Sequence, residues 1–131
     1  MYNIRQYTPS DYKTIANWSH QRGMGELKES MIPSTTYIVE KEGQPVVTGC
    51  LFLMNCRSGC MVENILSNPE FDGNREGATQ FLFSNLENKA KNLGYDTMVI
   101  FSYEPKIKQL YETLGFTKTL ENVTTFAKEI K

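Results

Sequence analysis

The stretch Val62–Asn92 constrains this chain most, because it reads as a strand, a glycine-bearing turn and a helix in immediate succession. Val62, Ile65 and Leu66 supply the strand's apolar content, and Pro69 ends it because proline has no N–H for a ladder. The turn runs Asn68-Pro69-Glu70-Phe71-Asp72-Gly73-Asn74-Arg75-Glu76-Gly77, with glycines where a chain entering a helix turns sharply. Ala78, Phe81, Leu82, Leu86, Ala90 and Leu93 then recur at helical spacing as one apolar face, and Gly94 is the stop signal beyond it. Such a junction leaves backbone N–H groups unpaired at a helix N-terminus, which suits anions and phosphate above all. The same glycines would also serve a turn that binds nothing.

On either side the chain alternates between strand and helix patterns. Tyr2, Ile4 and Gln6 alternate with Asn3, Arg5 and Tyr7 as a first strand, and Thr8-Pro9-Ser10-Asp11 starts a helix capped by Ser10 or Asp11. Tyr12, Ile15, Ala16 and Ser19 form its buried stripe and Gly23 closes it, while Trp18 either covers the core's edge or lines a ligand site. Gly25–Met31 reads as a short second helix before Pro33. Tyr37–Lys41 and Pro45–Met54 are strands around the hairpin signal Glu42-Gly43-Gln44, the second so apolar that both its faces should be covered. Tyr95–Ser102 is a β-rich run and Lys106–Phe116 a short helix closed by Gly115; Thr117–Leu120 and Thr124–Ile130 read as two last strands, anchored by Phe126 and Ile130. The pattern is α+β, a mixed sheet with helices on both faces.

Two segments carry a resemblance. Asn68-Pro69-Glu70-Phe71-x-Gly73-x-x-x-Gly77 and Leu110-Tyr111-Glu112-Thr113-Leu114-Gly115-Phe116 resemble, in order and spacing, motifs of the GNAT superfamily of acyl-CoA-dependent N-acetyltransferases. The family's first motif reads like V-x-P-x-Y-R-G-x-G-x-G and its second like N-x-x-A-x-x-L-Y-E-K-L-G-F, the second being the more specific. The likeness runs from Tyr37 to Phe116. Three positions depart: Asp72 stands where the family has arginine, Arg75 where it has its middle glycine, and Glu104 where asparagine is frequent. Asp72 would repel a pyrophosphate, whereas Arg75 would pair with one.

The resemblance implies one N-acetyltransferase-like domain over residues 1–131, with a central, mostly antiparallel mixed sheet between helices. It implies acetyl-CoA as acyl donor and a small-molecule or peptide amine as acceptor, with direct transfer between them. It also implies a bulged central strand that parts from its neighbour, so that the backbone of Ile65, Leu66 and Ser67 binds the pantetheine arm. The turn Asp72, Gly73, Asn74, Arg75, Glu76, Gly77 and Ala78 would hold the pyrophosphate. Period-two counting agrees faintly, since Val62 and Ile65 cannot share a face of a regular strand.

The chemistry needs a base for the amine and an acid for the leaving thiolate. Glu63 is the candidate base, against the reading of a strand carboxylate that is merely solvated or hydrogen-bonded. Tyr111 is the candidate acid, against the reading of a packing aromatic beside Leu110 and Leu114. Lys106 and Lys108 either meet cofactor phosphates or form a solvated helix face, and Glu104 is open to an acceptor-side role that nothing in the sequence assigns. The alternative function is a GNAT-like module that binds or regulates without catalysis.

Composition sets the bounds. Forty per cent apolar and 22% charged residues in 131 describe an ordinary globule. A net charge of −1 argues against nucleic-acid binding. The chain shows neither a signal peptide nor a spanning apolar run, so a cytoplasmic monomer or homodimer without membrane contact is expected. Cys50, Cys56 and Cys60 lack zinc-site spacing, so no metal is expected; reduced thiols are the simpler reading, with a Cys56–Cys60 disulfide as the lesser one.

Overall fold

The computed structural model describes residues 1–56, 58–101, 105–121 and 124–130. Two compact units divide the chain, Met1–Ile100 and Phe101–Lys131. The first unit contains β1 (Tyr2–Gln6), α1 (Tyr12–Gln21), β2 (Thr36–Lys41), β3 (Gln44–Leu53), β4 (Cys60–Ser67), α2 (Arg75–Asn92) and β5 (Met98–Val99). The sheet order is β1-β2-β3-β4-β5, antiparallel throughout except for the parallel pair β4–β5. This is the expected α+β class with a mixed, mostly antiparallel sheet.

The two sheet faces are read from side-chain alternation. Ile38 and Thr48 are partners, as are Thr48 and Leu66, and Ile38 and Leu66 join Ile15, Trp18 and Leu27 in one buried cluster under α1. The opposite face carries Gly49, whose missing side chain would point at Leu82 and Leu86 of α2. Both faces of β3 are therefore covered, and Val46 to Leu51 are all buried. Each large apolar side chain so buried contributes about 1.5–3 kcal/mol of transfer free energy. Trp18 is 4% exposed, so it is core rather than edge or ligand lining. Its place beside Ile15 follows from helical i, i+3 spacing.

Local signals explain the joints. Glu42 and Gly43 have φ of 52° and 80°, the two left-handed residues that a two-residue hairpin needs. The Asp11 carboxylate accepts the Thr8 N–H at 2.8 Å and takes two 2.8 Å bonds from the Arg5 guanidinium, whose Nε also pairs with Glu40 at 3.0 Å. The Arg5 pair holds the Asp11 carboxyl below the usual carboxylate range.

Several expectations shift. Gly25–Met31 forms only a 3-10 turn at Glu29–Met31, since a short run with glycine at its start lacks the length for a stable helix. In α2 Phe83 is buried, while Leu93, at the C-cap, is 46% exposed. The β-rich run after Gly94 pairs only at Met98–Val99, and Ser102 lies outside the described residues. Cys50 and Cys60 are buried free thiols and Cys56 an exposed one, so no disulfide joins the latter two. Among the described residues no helix is long and apolar enough to cross a membrane.

The second unit holds α3 (Pro105–Thr113), closed as expected by Gly115 at φ 94°. Its remaining segments, Thr117–Leu120 and Thr124–Ile130, are not strands. Each carries too few apolar residues to hold a face, and Phe126 and Ile130 are 93% and 94% exposed instead of anchoring one.

Candidate functional site

The site is built on β4. Its ladder with β3 pairs Cys50 with Glu63 and next pairs Thr48 with Leu66, so three steps on β4 face two on β3. β4 therefore carries a bulge. Asn64 takes it up with φ 55°, in the left-handed region that asparagine tolerates better than most residues. The bulge resolves the awkward spacing in the sequence. Val62 pairs with Leu51 on the α2 side, and Ile65 three residues on also reaches that side, where it meets the space over Gly49.

β4 is also free along one edge. β5 joins it only at Cys60↔Met98 and Met61↔Val99, and among the described residues no strand continues that pairing past Met61. The Asn68 N–H donates to Val46 O at 2.7 Å, so ladder alternation turns the main-chain groups of Ser67, and of Ile65 before it, away from β3. An extended amide-bearing ligand can pair with those groups as a strand would. Leu66 differs: its main chain faces β3 and its side chain lies in the α1 cluster.

The edge leads into a braced turn. Asn68 Oδ1 accepts the Glu70 N–H at 2.9 Å, and its Nδ2 donates to Pro45 O at 3.0 Å. Phe71 is 5% exposed, and Gly73 is required beside it, because a Cβ there would enter the Phe71 ring. Asn74 is the N-cap of α2; its side chain accepts the Gly77 N–H at 2.9 Å, while its carbonyl accepts the Tyr2 hydroxyl at 2.8 Å. A Cβ on Gly77 would stand 2.6 Å from Asn74 Nδ2, so the cap itself demands glycine. Arg75 is turned back on the loop, donating to Phe71 O at 2.9 Å and Pro69 O at 3.0 Å. Ala78 is buried and its N–H bonds Asn74 O at 3.2 Å, which leaves the N–H groups of Arg75 and Glu76 as the helix's open donors. The Asp72 and Glu76 side chains are exposed at this mouth.

Glu63 lies opposite Cys50, half-buried on the α1 side of β4. Burial pushes its carboxyl above the ordinary glutamate value, with the Asn64 N–H partly opposing the shift. Cys50 donates to Glu63 O at 3.2 Å, and burial pushes its thiol up to about 12, so it stays neutral and is no nucleophile. The structure thus brings Glu63, the free edge and the α2 turn onto one continuous segment.

Tyr111 belongs to the second unit. It is half-buried, meets Phe116 edge-on with ring centroids 5.9 Å apart, and its carbonyl accepts the Leu114 and Phe116 N–H groups at 3.0 Å. Lys108 is exposed. Glu104 lies outside the described residues, as does the Lys106 side chain.

Two participants escape sequence reasoning. Arg22, just past α1, donates from Nε to Ser67 O at 3.2 Å and from Nη2 to Ser67 Oγ at 2.7 Å. Tyr2 steadies the cap from β1 across 72 residues of sequence. An arginine after a helix reads as a solvated charge and a strand tyrosine as packing, so neither leaves a signal.

No protein-family model matches the sequence, and no curated protein does. Solved structures do match. Ard1 of Thermoplasma volcanium superimposes with a TM-score of 0.76 at 13% identity, over 91% of this chain and 84% of that one. A predicted acetyltransferase of Clostridium acetobutylicum, solved with acetyl-CoA, gives 0.69 at 16% identity over 96% of both chains. N-acetylglutamate synthase of Neisseria gonorrhoeae, complexed with coenzyme A and N-acetyl-glutamate, gives 0.71 at 18% identity over 86% of this chain. The chain spans only 28% of that synthase's length.

Proposed function

From the GNAT fold of this chain we propose an acyl-CoA-dependent N-acyltransferase that moves acetyl from acetyl-CoA to a primary amine of a small molecule or peptide. The observation that carries the reading is the bulged β4, free along one edge and running straight into the capped N-terminus of α2. In this reading the outward main-chain groups of Ile65 and Ser67 bind the pantetheine amides. The open N–H groups of Arg75 and Glu76 bind the pyrophosphate, within the turn formed by Asp72, Gly73, Asn74 and Gly77. Glu63 takes the proton of the acceptor ammonium. As the new C–N bond forms and the C–S bond breaks, Tyr111 protonates the leaving thiolate, a role supported by its motif. The whole chain acts as one cytoplasmic domain, monomeric or homodimeric.

Calorimetric titration with acetyl-CoA is the direct test. Binding followed by acetylation of a member of an amine panel supports the proposal; no heat and no thermal shift at millimolar acetyl-CoA ends it.

One observation favours a second reading, a GNAT-fold binding module. The Arg75 guanidinium is spent on two loop carbonyls and Asp72 stands exposed at the turn, so the anion site has less positive charge than it needs. Acetyl-CoA binding with no acetylation of any amine in a broad panel selects this reading.

A further inference from the structure

The free edge of β4 is already occupied by one side chain of the protein. Arg22 reaches across 45 residues of sequence to place its guanidinium on both the carbonyl and the hydroxyl of Ser67. Of the other described arginines, Arg5 is paired with Asp11 and Glu40 and Arg75 ties the turn, whereas Arg22 has no carboxylate partner among the described residues. Among the described residues, the polar contacts of its side chain are with Ser67.

We infer that Arg22 is a latch on this edge, bonded to Ser67 until the amide arm of acetyl-CoA displaces it. The inference rests on the function proposed above. A ligand pairing with β4 as a strand would lie about 4.8 Å away in the plane of the sheet, the space that the guanidinium fills when it bonds Ser67 O. The moving part is the side chain and not the helix. Trp18 and Ser19 are buried, the Arg22 N–H is bonded to Trp18 O at 3.0 Å, and the Met24 N–H to Ser19 O at 3.0 Å. The chain leaves α1 through Gly23 and Gly25, both at positive φ, so the arginine stands at the rim of a fixed helix end. Its bonds to Ser67 are exposed, hence cheap to break and quick to re-form.

Coenzyme A affinity of the full chain, measured by calorimetry for wild type, Arg22→Ala and Ser67→Ala, tests the latch. Arg22→Ala should bind about three- to tenfold more tightly than wild type, the scale of an exposed charge-assisted contact after screening. Ser67→Ala, which keeps the carbonyl but loses the hydroxyl half of the latch, should change in the same direction by less. Equal or weaker binding by Arg22→Ala overturns the latch alone and makes Arg22 a bystander or a ligand contact. Failure of all three proteins to bind coenzyme A overturns the proposed function and the latch with it. Circular dichroism melts of the unliganded proteins check that each is folded.

Discussion

Ile65 occupies the space that a side chain on Gly49 would need: a Cβ on Gly49 would stand 2.5 Å from Ile65 Cδ1 and 3.0 Å from Leu82 Cδ2. The bulge in β4 and the glycine in β3 are thus two halves of one fitting, and α2 closes over both. Gly49→Ala should destabilise the protein by about 1–3 kcal/mol, as expected of overpacking in a filled core. Ile65→Val removes the offending methyl, so the double variant should recover part of that loss. Urea denaturation of the four proteins of this cycle measures the coupling. Simple additivity would show that the two residues do not share the space.

Glu63 is half-buried, and burial raises its carboxyl above the ordinary value. A base works when deprotonated, so kcat/KM should rise with pH along an acid limb centred above the usual glutamate range. Glu63→Gln should abolish that limb and lower turnover by about a hundredfold or more. Stability moves the other way. A carboxyl whose pKa is raised by folding binds more protons in the native state, so its contribution falls as pH rises from the unfolded value through the folded one. Glu63→Gln should therefore melt at a higher temperature than wild type near neutral pH, and the gap should narrow in acid. An unchanged pH–rate profile in the variant would mean that Glu63 is a strand carboxylate and nothing more.

Asn74 and Arg75 brace the turn by different means and should separate experimentally. Asn74→Ala removes the cap on Gly77 and should cost about 1 kcal/mol, the usual loss for such a cap. Arg75→Ala frees the carbonyls of Pro69 and Phe71 and should weaken coenzyme A binding roughly ten- to a hundredfold by loosening the turn that presents the open N–H groups of residues 75 and 76. Thermal melts and calorimetry on both variants give the answer. Unchanged affinity in Arg75→Ala would put the phosphates elsewhere. Substituting Gly77 is a poor probe of phosphate binding, because any side chain there first collides with Asn74.

Much of this was legible in the sequence, because the signals were local. Alternation marked β1, β-rich and apolar runs marked β2 and β3, Glu42-Gly43 marked the hairpin, and glycines marked the ends of α1, α2 and α3. The odd spacing of Val62 and Ile65 was a faint trace of the bulge, which only the pairing with β3 made definite. What stayed hidden depends on distant partners. Nothing near Arg22 points to Ser67, and nothing near Tyr2 points to Asn74. The two tail segments read as strands, but each carries too few apolar residues to hold a face, and sequence alone cannot supply a pairing partner.

Tyr111 should matter to chemistry more than to binding. Its ring packs edge-on against Phe116, and Tyr111→Phe keeps that ring at nearly constant volume, so the fold of its unit should survive. An acid that protonates the leaving thiolate acts only as charge develops on sulfur, so removing it should lower kcat and kcat/KM together and leave coenzyme A affinity nearly intact. General-acid assistance is worth about a hundredfold or more, which sets the drop to look for. A structural hydroxyl behaves in the opposite way: its loss lowers the melting temperature and leaves kcat alone. Steady-state kinetics and a thermal melt on the same purified variant separate the two. Turnover that holds while the melting temperature falls would assign Tyr111 to the packing of α3.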